Sequence, residues 1–144
     1  MKPDWEQMLL EASARESSDQ EQEFLSLVDE AEGDIGLEVA KTLLKTFSDK
    51  PDYGTQERVE SVLATADPEV VVQAVLEEMP RLVLEAPEWA ESLLGQELEH
   101  RPSLVVSAMN NLPQKAIEVI RTVAMRPEFI SFYKNAKLLN TSNA

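Results

Sequence analysis

The stretch at residues 67–80 reads DPEVVVQAVLEEMP, and the assignment of the fold depends on it. Residues 70–72 are three valines, and β-branched residues of this kind are enriched in strands. Asp67 and Pro68 favour a helix instead, because aspartate is a common N-cap and proline is preferred at the first helical position. The apolar residues that follow keep helical spacing as far as Leu76. The sequence therefore predicts a helix here and not a strand.

A related stretch occurs further along the chain. Residues 102–109 read PSLVVSAM and match residues 68–75, PEVVVQAV, at an offset of 102 − 68 = 34 positions. Residues 87–90 (PEWA) and 127–130 (PEFI) form a second pair, offset by 127 − 87 = 40 positions. A unit of roughly 34–40 residues built from paired helices is typical of HEAT-like and related α-solenoids. We therefore predict an all-α fold of short paired helices, a HEAT-like α-solenoid with repeats within 55–139. An irregular helical bundle is the alternative.

Prolines set most of the predicted helix boundaries. They recur at positions 68, 80, 87, 102, 113 and 127, whereas the chain has only four glycines. This spacing predicts short helices that each open at a proline. Near the N-terminus, Ser18 and Glu21 have the spacing of a capping box and predict another helix start. The chain has 144 residues, the length of one domain, so we predict a single all-α domain over 1–144 with a flexible tail at 140–144.

Charge is divided unevenly along the chain. Residues 1–100 contain 25 acidic and 7 basic side chains, a net of 7 − 25 = −18. Residues 101–144 contain 2 acidic and 6 basic side chains, a net of 6 − 2 = +4, which gives −14 in total. A field of this sign repels nucleic acid and anionic membranes, and it attracts basic proteins over long distances. The sequence therefore predicts a protein that binds a basic protein partner.

The composition also excludes several cellular locations and several kinds of functional site. The chain has no cysteine, which excludes disulfides, thiolate metal sites and a cysteine nucleophile. No run approaches the roughly 18 apolar residues of a membrane span. The first residues turn acidic at once and lack the apolar region of a secretory signal. We predict a cytoplasmic protein with no membrane partner. The basic residues of the last third are too few to predict nucleic-acid binding; they include Lys115, Arg121, Arg126, Lys134 and Lys137.

The acidic and histidine residues do not form a recognisable catalytic or metal-binding pattern. Glu97 and His100 have the Glu-x-x-His spacing of half a di-iron site, but His100 is the only histidine, so the second half is missing. We interpret this pair as a solvated helix end, and pairs such as Glu77 and Glu78 as solvated helix faces. No phosphate-binding loop or nucleophile motif is present. We predict no metal, no cofactor and no enzymatic activity.

The general character of the chain, with the repeat at 68–139, resembles the immunity proteins of bacterial contact-dependent growth-inhibition and polymorphic toxin systems. These are small, acidic and helical, and some families are HEAT-like. The resemblance implies a protein that binds and neutralises a cognate toxin, often a basic nuclease. It includes no motif that aligns residue by residue, so no functional residue is transferred from it.

The residues themselves suggest where a basic partner binds. Residues 51–100 contain 12 acidic and 2 basic side chains, a net of 2 − 12 = −10, and the glutamates recur near successive helix turns. We predict a binding face within 57–99. The acidic residues of 1–50, such as Glu16, Asp19, Glu21 and Glu23, are interpreted as solvated helix caps that contribute little. The predicted partner-binding residues are Glu77, Glu78, Glu85, Glu88, Trp89, Glu91, Glu97 and Glu99.

Two other classes of function remain open at this stage. A solenoid adaptor or chaperone-like module would hold a peptide or helix of a host protein in its groove. An enzyme that uses carboxylates with a metal would need at least one carboxylate with a strongly raised pKa in a closed pocket.

Overall fold

A computed structural model describes residues 3–50 and 54–140. Within these residues the chain forms ten α-helices and one 3₁₀ helix, with no strand, so the all-α prediction is confirmed. The α-helices are α1 (Trp5–Ala12), α2 (Ser18–Glu30), α3 (Leu37–Leu44), α4 (Thr55–Leu63), α5 (Pro68–Glu85), α6 (Pro87–His100), α7 (Pro102–Met109), α8 (Gln114–Ala124), α9 (Pro127–Phe132) and α10 (Lys137–Asn140). The 3₁₀ helix is Lys134–Ala136, between α9 and α10.

Four helices begin at a proline, as the sequence predicts. Proline is the first residue of α5, α6, α7 and α9, where its missing N–H leaves no hydrogen bond unmade. Pro113 directly precedes α8 and is its N-cap residue. The valines at 70–72 lie in the first turns of α5, so they are helical and not a strand.

Pro80 contradicts the expected pattern, because it lies inside α5 and opens no helix. A proline in a helix interior cannot donate to the carbonyl four residues back, here that of Leu76, and costs about 3 kcal/mol. The helix continues because Leu76, Met79 and Leu82 around the proline are fully buried. Burial of one such side chain contributes roughly 1.5–3 kcal/mol, so three outweigh the proline.

Helix α5 is the centre of the fold. It contacts α3, α6, α7 and α8, and it supplies much of the buried apolar surface. In an α-solenoid each unit contacts only its neighbours in the chain. These contacts do not confirm the solenoid arrangement and are consistent with the alternative, an irregular helical bundle. Buried apolar residues of α5 are Val71, Val72, Ala74, Val75, Leu76, Met79 and Leu82.

The N-terminal helices are held by one buried side-chain hydrogen bond and one cap. The indole N–H of Trp5 in α1 donates to the carbonyl of Leu27 in α2, at 2.8 Å. The N-cap of α2 is Ser17, whose hydroxyl accepts from the amide of Gln20 at 3.1 Å. The predicted cap, Ser18, is instead the first helical residue. The two adjacent serines make the sequence ambiguous by one position.

The C-terminal helices pack against α6 and α8. Asn135 donates from Nδ2 to the carbonyl of Leu98 at 2.9 Å, and Asn140 donates to the carbonyl of Ala124 at 2.9 Å. Asn140 ends α10, and the rest of the predicted tail at 140–144 lies outside the described residues. None of the helices in the described parts of the chain is long and apolar enough to cross a membrane.

Candidate functional site

The predicted partner-binding residues fall into groups with different neighbours. The first group comprises Glu77 and Glu85 on α5, the helix that packs against α3. Glu77 pairs with Lys41 Nζ at 3.0 Å and accepts from Gln73 Nε2 at 2.6 Å. Glu85 pairs with Arg81 Nη1 at 3.1 Å. These carboxylates are therefore partly neutralised within the chain.

The interpretation of Glu78 as part of a solvated helix face is wrong, because this residue is buried. Only 8% of the residue is exposed, and its carboxylate lies 3.6 Å from Arg81 Nε. Burial raises the pKa of Glu78, although Lys45, Arg81 and Lys41 oppose the shift. Successive glutamates in a helix point about 100° apart, so Glu77 and Glu78 cannot share one solvated face.

The second group lies on the side of α6 that faces the C-terminal segment. Glu91 pairs with Arg126 Nη1 at 2.9 Å. Glu99 accepts from the backbone amide and the Nδ2 of Asn135, both at 3.4 Å. Between them, Gly95 lies directly under the Tyr133 ring, where a Cβ atom would overlap ring atoms. The basic end of the chain therefore covers part of this acidic helix.

Glu88 and Trp89, at the start of α6, are the members of the predicted set nearest to a contact surface. Glu88 is exposed and forms no ion pair among the described residues. Trp89 is half-buried, and its ring packs against Phe47 with centroids 4.7 Å apart. Trp89 therefore serves the core as well as the surface.

A pocket between α4, α5 and α6 contains Glu97. Its volume is about 150 Å³. Glu97 lies on a different side of α6 from Glu91 and Glu99, and only 8% of it is exposed. This finding overturns the interpretation of Glu97 as part of a solvated helix end, because residues of α4 and α5 line the pocket beside it. His100 is exposed, as expected, with Nδ1 2.9 Å from the Gln96 carbonyl oxygen. The pocket is lined by Glu60, Leu63, Ala64, Val71, Val75, Leu93, Gln96, Glu97, His100 and Arg101.

Two carboxylates of this acidic pocket are poorly solvated. Burial raises the pKa of Glu97, against the opposing charges of Arg101 and His100 and a hydrogen bond from Arg101. Burial and the nearby charge of Glu57 raise the pKa of Glu60, against a hydrogen bond with Gln96. Arg101 Nη1 donates to both Glu97 oxygens, at 3.0 and 3.1 Å. The arrangement therefore concentrates negative charge beside an apolar wall.

The ionisable side chains that line the acidic pocket are Glu60, Glu97, His100 and Arg101. Its lining contains no serine, threonine, cysteine or lysine. Across the described residues, no group of three or more potential ligands is placed to hold a metal ion. The raised pKa of two carboxylates is one feature that a carboxylate enzyme would need, but the pocket is open to solvent at Ala64, Gln96 and His100.

Sequence reasoning missed Glu60. It is half-buried on α4, three residues before Leu63 and four before Ala64. That spacing places it on the edge of the buried side of the helix. The apolar neighbours were a signal that the carboxylate lies beside the core. Glu60 and Glu97 line the same pocket although they are 37 residues apart (97 − 60), and helical periodicity does not predict this.

Several exposed carboxylates on and beside α2 have no ion-pair partner among the described residues, whereas Asp29 on the same helix pairs with Arg58. Asp19, Glu23 and Glu30 follow one another at intervals of four and seven residues, so they share one side of the helix. All three are exposed, as is Glu16 just before the helix, and none of the four forms an ion pair with a described residue. We call these four residues the α2 acidic face.

Comparison of the chain with protein-family models, with curated proteins and with solved structures finds no significant match.

Proposed function

We propose that this protein is an acidic binding protein that neutralises a basic protein partner, acting as an immunity protein that inhibits a cognate bacterial toxin. The observation that carries the proposal is the surplus of carboxylates without an internal partner. The net charge is −14, and the α2 acidic face is exposed and unpaired within the described residues. Such a surface accelerates association with a basic protein by long-range attraction. A nuclease with a cationic substrate groove is a partner of this kind.

In this proposal the two acidic regions contribute differently, one to long-range attraction and the other to direct contact. Five glutamates of the predicted face form ion pairs inside the chain, which weakens the field that they project: Glu77, Glu78, Glu85, Glu91 and Glu97. We therefore expect the α2 acidic face to supply more of the long-range attraction than the sequence analysis assigned to 1–50. The predicted face within 57–99 stays the proposed contact region. A HEAT-like relation between the repeated blocks also stays part of the proposal.

Neutralisation of a toxin domain encoded beside the gene for this protein tests the proposal. The two proteins are co-expressed, and cell survival and the activity of the purified toxin are measured with and without an equimolar amount of this protein. We expect survival and loss of toxin activity in a stable complex. If the toxin is not bound even at low salt, the immunity function is wrong. Recovery of a complex with a non-toxic host protein instead would favour the adaptor alternative.

A further inference from the structure

We propose that the acidic pocket binds a lysine side chain of the partner, with the ammonium group at Glu60 and Glu97 and the aliphatic chain along the apolar wall. This inference rests on the proposed function, since it names the group of the basic partner that the contact region accepts.

The size and walls of the pocket fit a short alkyl chain. Its volume of about 150 Å³ is similar to that of cavities that hold a benzene molecule. Leu63 of α4, Val71 and Val75 of α5, and Leu93 of α6 form the apolar wall. Ala64, Gln96 and His100 are exposed and leave an opening for entry. Four methylene groups can therefore be covered while the backbone of the partner stays outside.

The polar end of the pocket favours a cation. Glu60 and Glu97 supply two carboxylates, and Arg101 accounts for one opposite charge through its hydrogen bonds to Glu97. Glu60 has no ion-pair partner among the described residues. Buried carboxylates are destabilised as anions, as the raised pKa of both groups indicates. An incoming cation relieves this, whereas an anion would add a further like charge.

A lysine fits better than an arginine. The ammonium is a compact charge with three donors on a flexible four-carbon chain, whereas the guanidinium is a wide planar fork. Arg101 already presents its own guanidinium to both oxygens of Glu97. A compact ammonium group needs less further room beside this guanidinium than a second planar fork would.

Titration of the full chain with a small lysine mimic tests the inference without the partner. Nα-acetyl-L-lysine methylamide is added while the methyl signals of Leu63, Val71, Val75 and Leu93 are followed by NMR. We expect saturable shifts confined to these methyls and their neighbours. The Nε-acetylated form of the same probe has the same chain without the charge, and we expect it not to bind.

Variants identify the carboxylates responsible. Glu97→Gln and Glu60→Gln keep the shape of the side chain and remove its charge, and each should weaken binding of the probe about ten-fold or more, the usual value of a charged hydrogen bond. Glu118→Gln makes the same change of charge at an exposed position of α8, outside the pocket and outside the proposed contact region, and it should leave the affinity unchanged. Circular dichroism and thermal unfolding show that each variant is folded.

Several results would overturn the lysine assignment. They are equal binding of the neutral probe, equal affinity in the two pocket variants and the wild type, and tighter binding of the corresponding arginine probe. If the lysine probe saturates the pocket but the toxin does not bind at all, the lysine site is supported and the proposed immunity function is wrong. If the toxin binds and its affinity is unchanged by Glu60→Gln and Glu97→Gln, the immunity function is supported and the pocket is not the contact site.

Discussion

Glu97 is buried between an apolar helix face and Arg101, the residue that directly follows α6. Leu93 lies one turn before it and Arg101 one turn after it, the latter with hydrogen bonds to both carboxylate oxygens. The ion pair does not fully compensate for the loss of water, because the net effect on the pKa of Glu97 is upward. The ionised form of this residue is thus disfavoured in the folded protein. A group of this kind makes stability depend on pH.

The Glu97→Gln variant should therefore gain stability relative to the wild type as the pH rises. A carboxyl group whose pKa is raised by folding contributes stability below its unfolded pKa, near 4.5, and that stability is lost as the pH rises through the folded pKa. Glutamine does not ionise and escapes this loss. We expect the free energy of unfolding of the variant, relative to the wild type, to increase between about pH 4 and pH 7. Denaturant unfolding at a series of pH values measures it.

Glu77→Gln is the matched control, because its pH dependence should have the opposite sign. Burial raises the pKa of Glu77, but the hydrogen bonds from Gln73 and Lys41 and the charge of Lys41 outweigh it, so the net shift is downward. The stability that Glu77 contributes is present above its unfolded pKa and is lost as the pH falls through the folded pKa. The variant should be less stable than the wild type near neutral pH and approach it in acid. The same sign for both variants would contradict the assigned environments.

For single residues, the sequence predicts which side chains are neighbours within one helix. It does not predict which side chains of different helices come together. The spacing of Leu93, Glu97 and Arg101 is visible in the sequence and predicts their contact. The pocket that contains Glu97 is also lined by residues of α4 and α5, which come more than 20 positions earlier in the chain. For that reason the sequence alone did not distinguish a buried carboxylate from a solvated one.

Helix α6 has a different neighbour on each of three sides. One side faces α4 and the acidic pocket, one packs on α5, and one carries the C-terminal segment. Gly95 allows the last of these contacts, because the Tyr133 ring lies where a Cβ atom would be. Tyr133 also packs against Phe129, with ring centroids 4.9 Å apart. The segment from α9 to α10 is thus positioned by one small residue.

Gly95→Ala should loosen this segment. Overpacking costs about 1–3 kcal/mol, which exceeds the gain of up to about 1 kcal/mol from replacing a glycine inside a helix. We expect a net loss of stability of up to about 2 kcal/mol by the same balance. We also expect faster amide hydrogen exchange in α9 and α10.

A double-mutant cycle separates the clash from the intrinsic helix effect. In the background of Tyr133→Ala the ring is absent, so Gly95→Ala should stabilise the protein by about 0.5–1 kcal/mol. The effect of Gly95→Ala on stability should therefore be destabilising when Tyr133 is present and stabilising when it is absent. Stabilisation by Gly95→Ala in both backgrounds would show that the ring does not occupy this position.

Helix boundaries were more predictable than helix packing. Proline at the first position has a local cause, so the starts of α5, α6, α7 and α9 were predicted correctly. Pro80 was predicted wrongly because burial around it, a tertiary effect, outweighs its local preference. The repeated blocks begin α5 and α7, but similar sequences at two helix starts do not determine how those helices pack.

Across the whole molecule, the division of charge along the chain is only partly evened out by folding. The acidic and basic parts meet in the ion pairs of Glu91 with Arg126 and of Glu97 with Arg101. The α2 acidic face is not reached by any basic group in the described residues and keeps its charge. The net charge predicted an acidic surface, whereas the fold was needed to identify which carboxylates are exposed and unpaired, those of the α2 acidic face among them. The proposed binding mode follows from the location of these carboxylates: α2 attracts the partner, and the acidic pocket holds it.

Association and dissociation rates of the toxin domain, measured by stopped flow from about 10 mM to 0.15 M salt, test this account most directly. Glu16→Lys/Glu23→Lys/Glu30→Lys should slow association about ten-fold or more at low salt and flatten its salt dependence, because steering charge has been reversed. Glu97→Gln should mainly speed dissociation. Reversing Glu85, Glu88 and Glu91 makes the same change of charge where two of the three are paired, and should slow association less. The account is contradicted if the toxin does not bind at low salt, or if association is insensitive to both salt and charge reversal on α2.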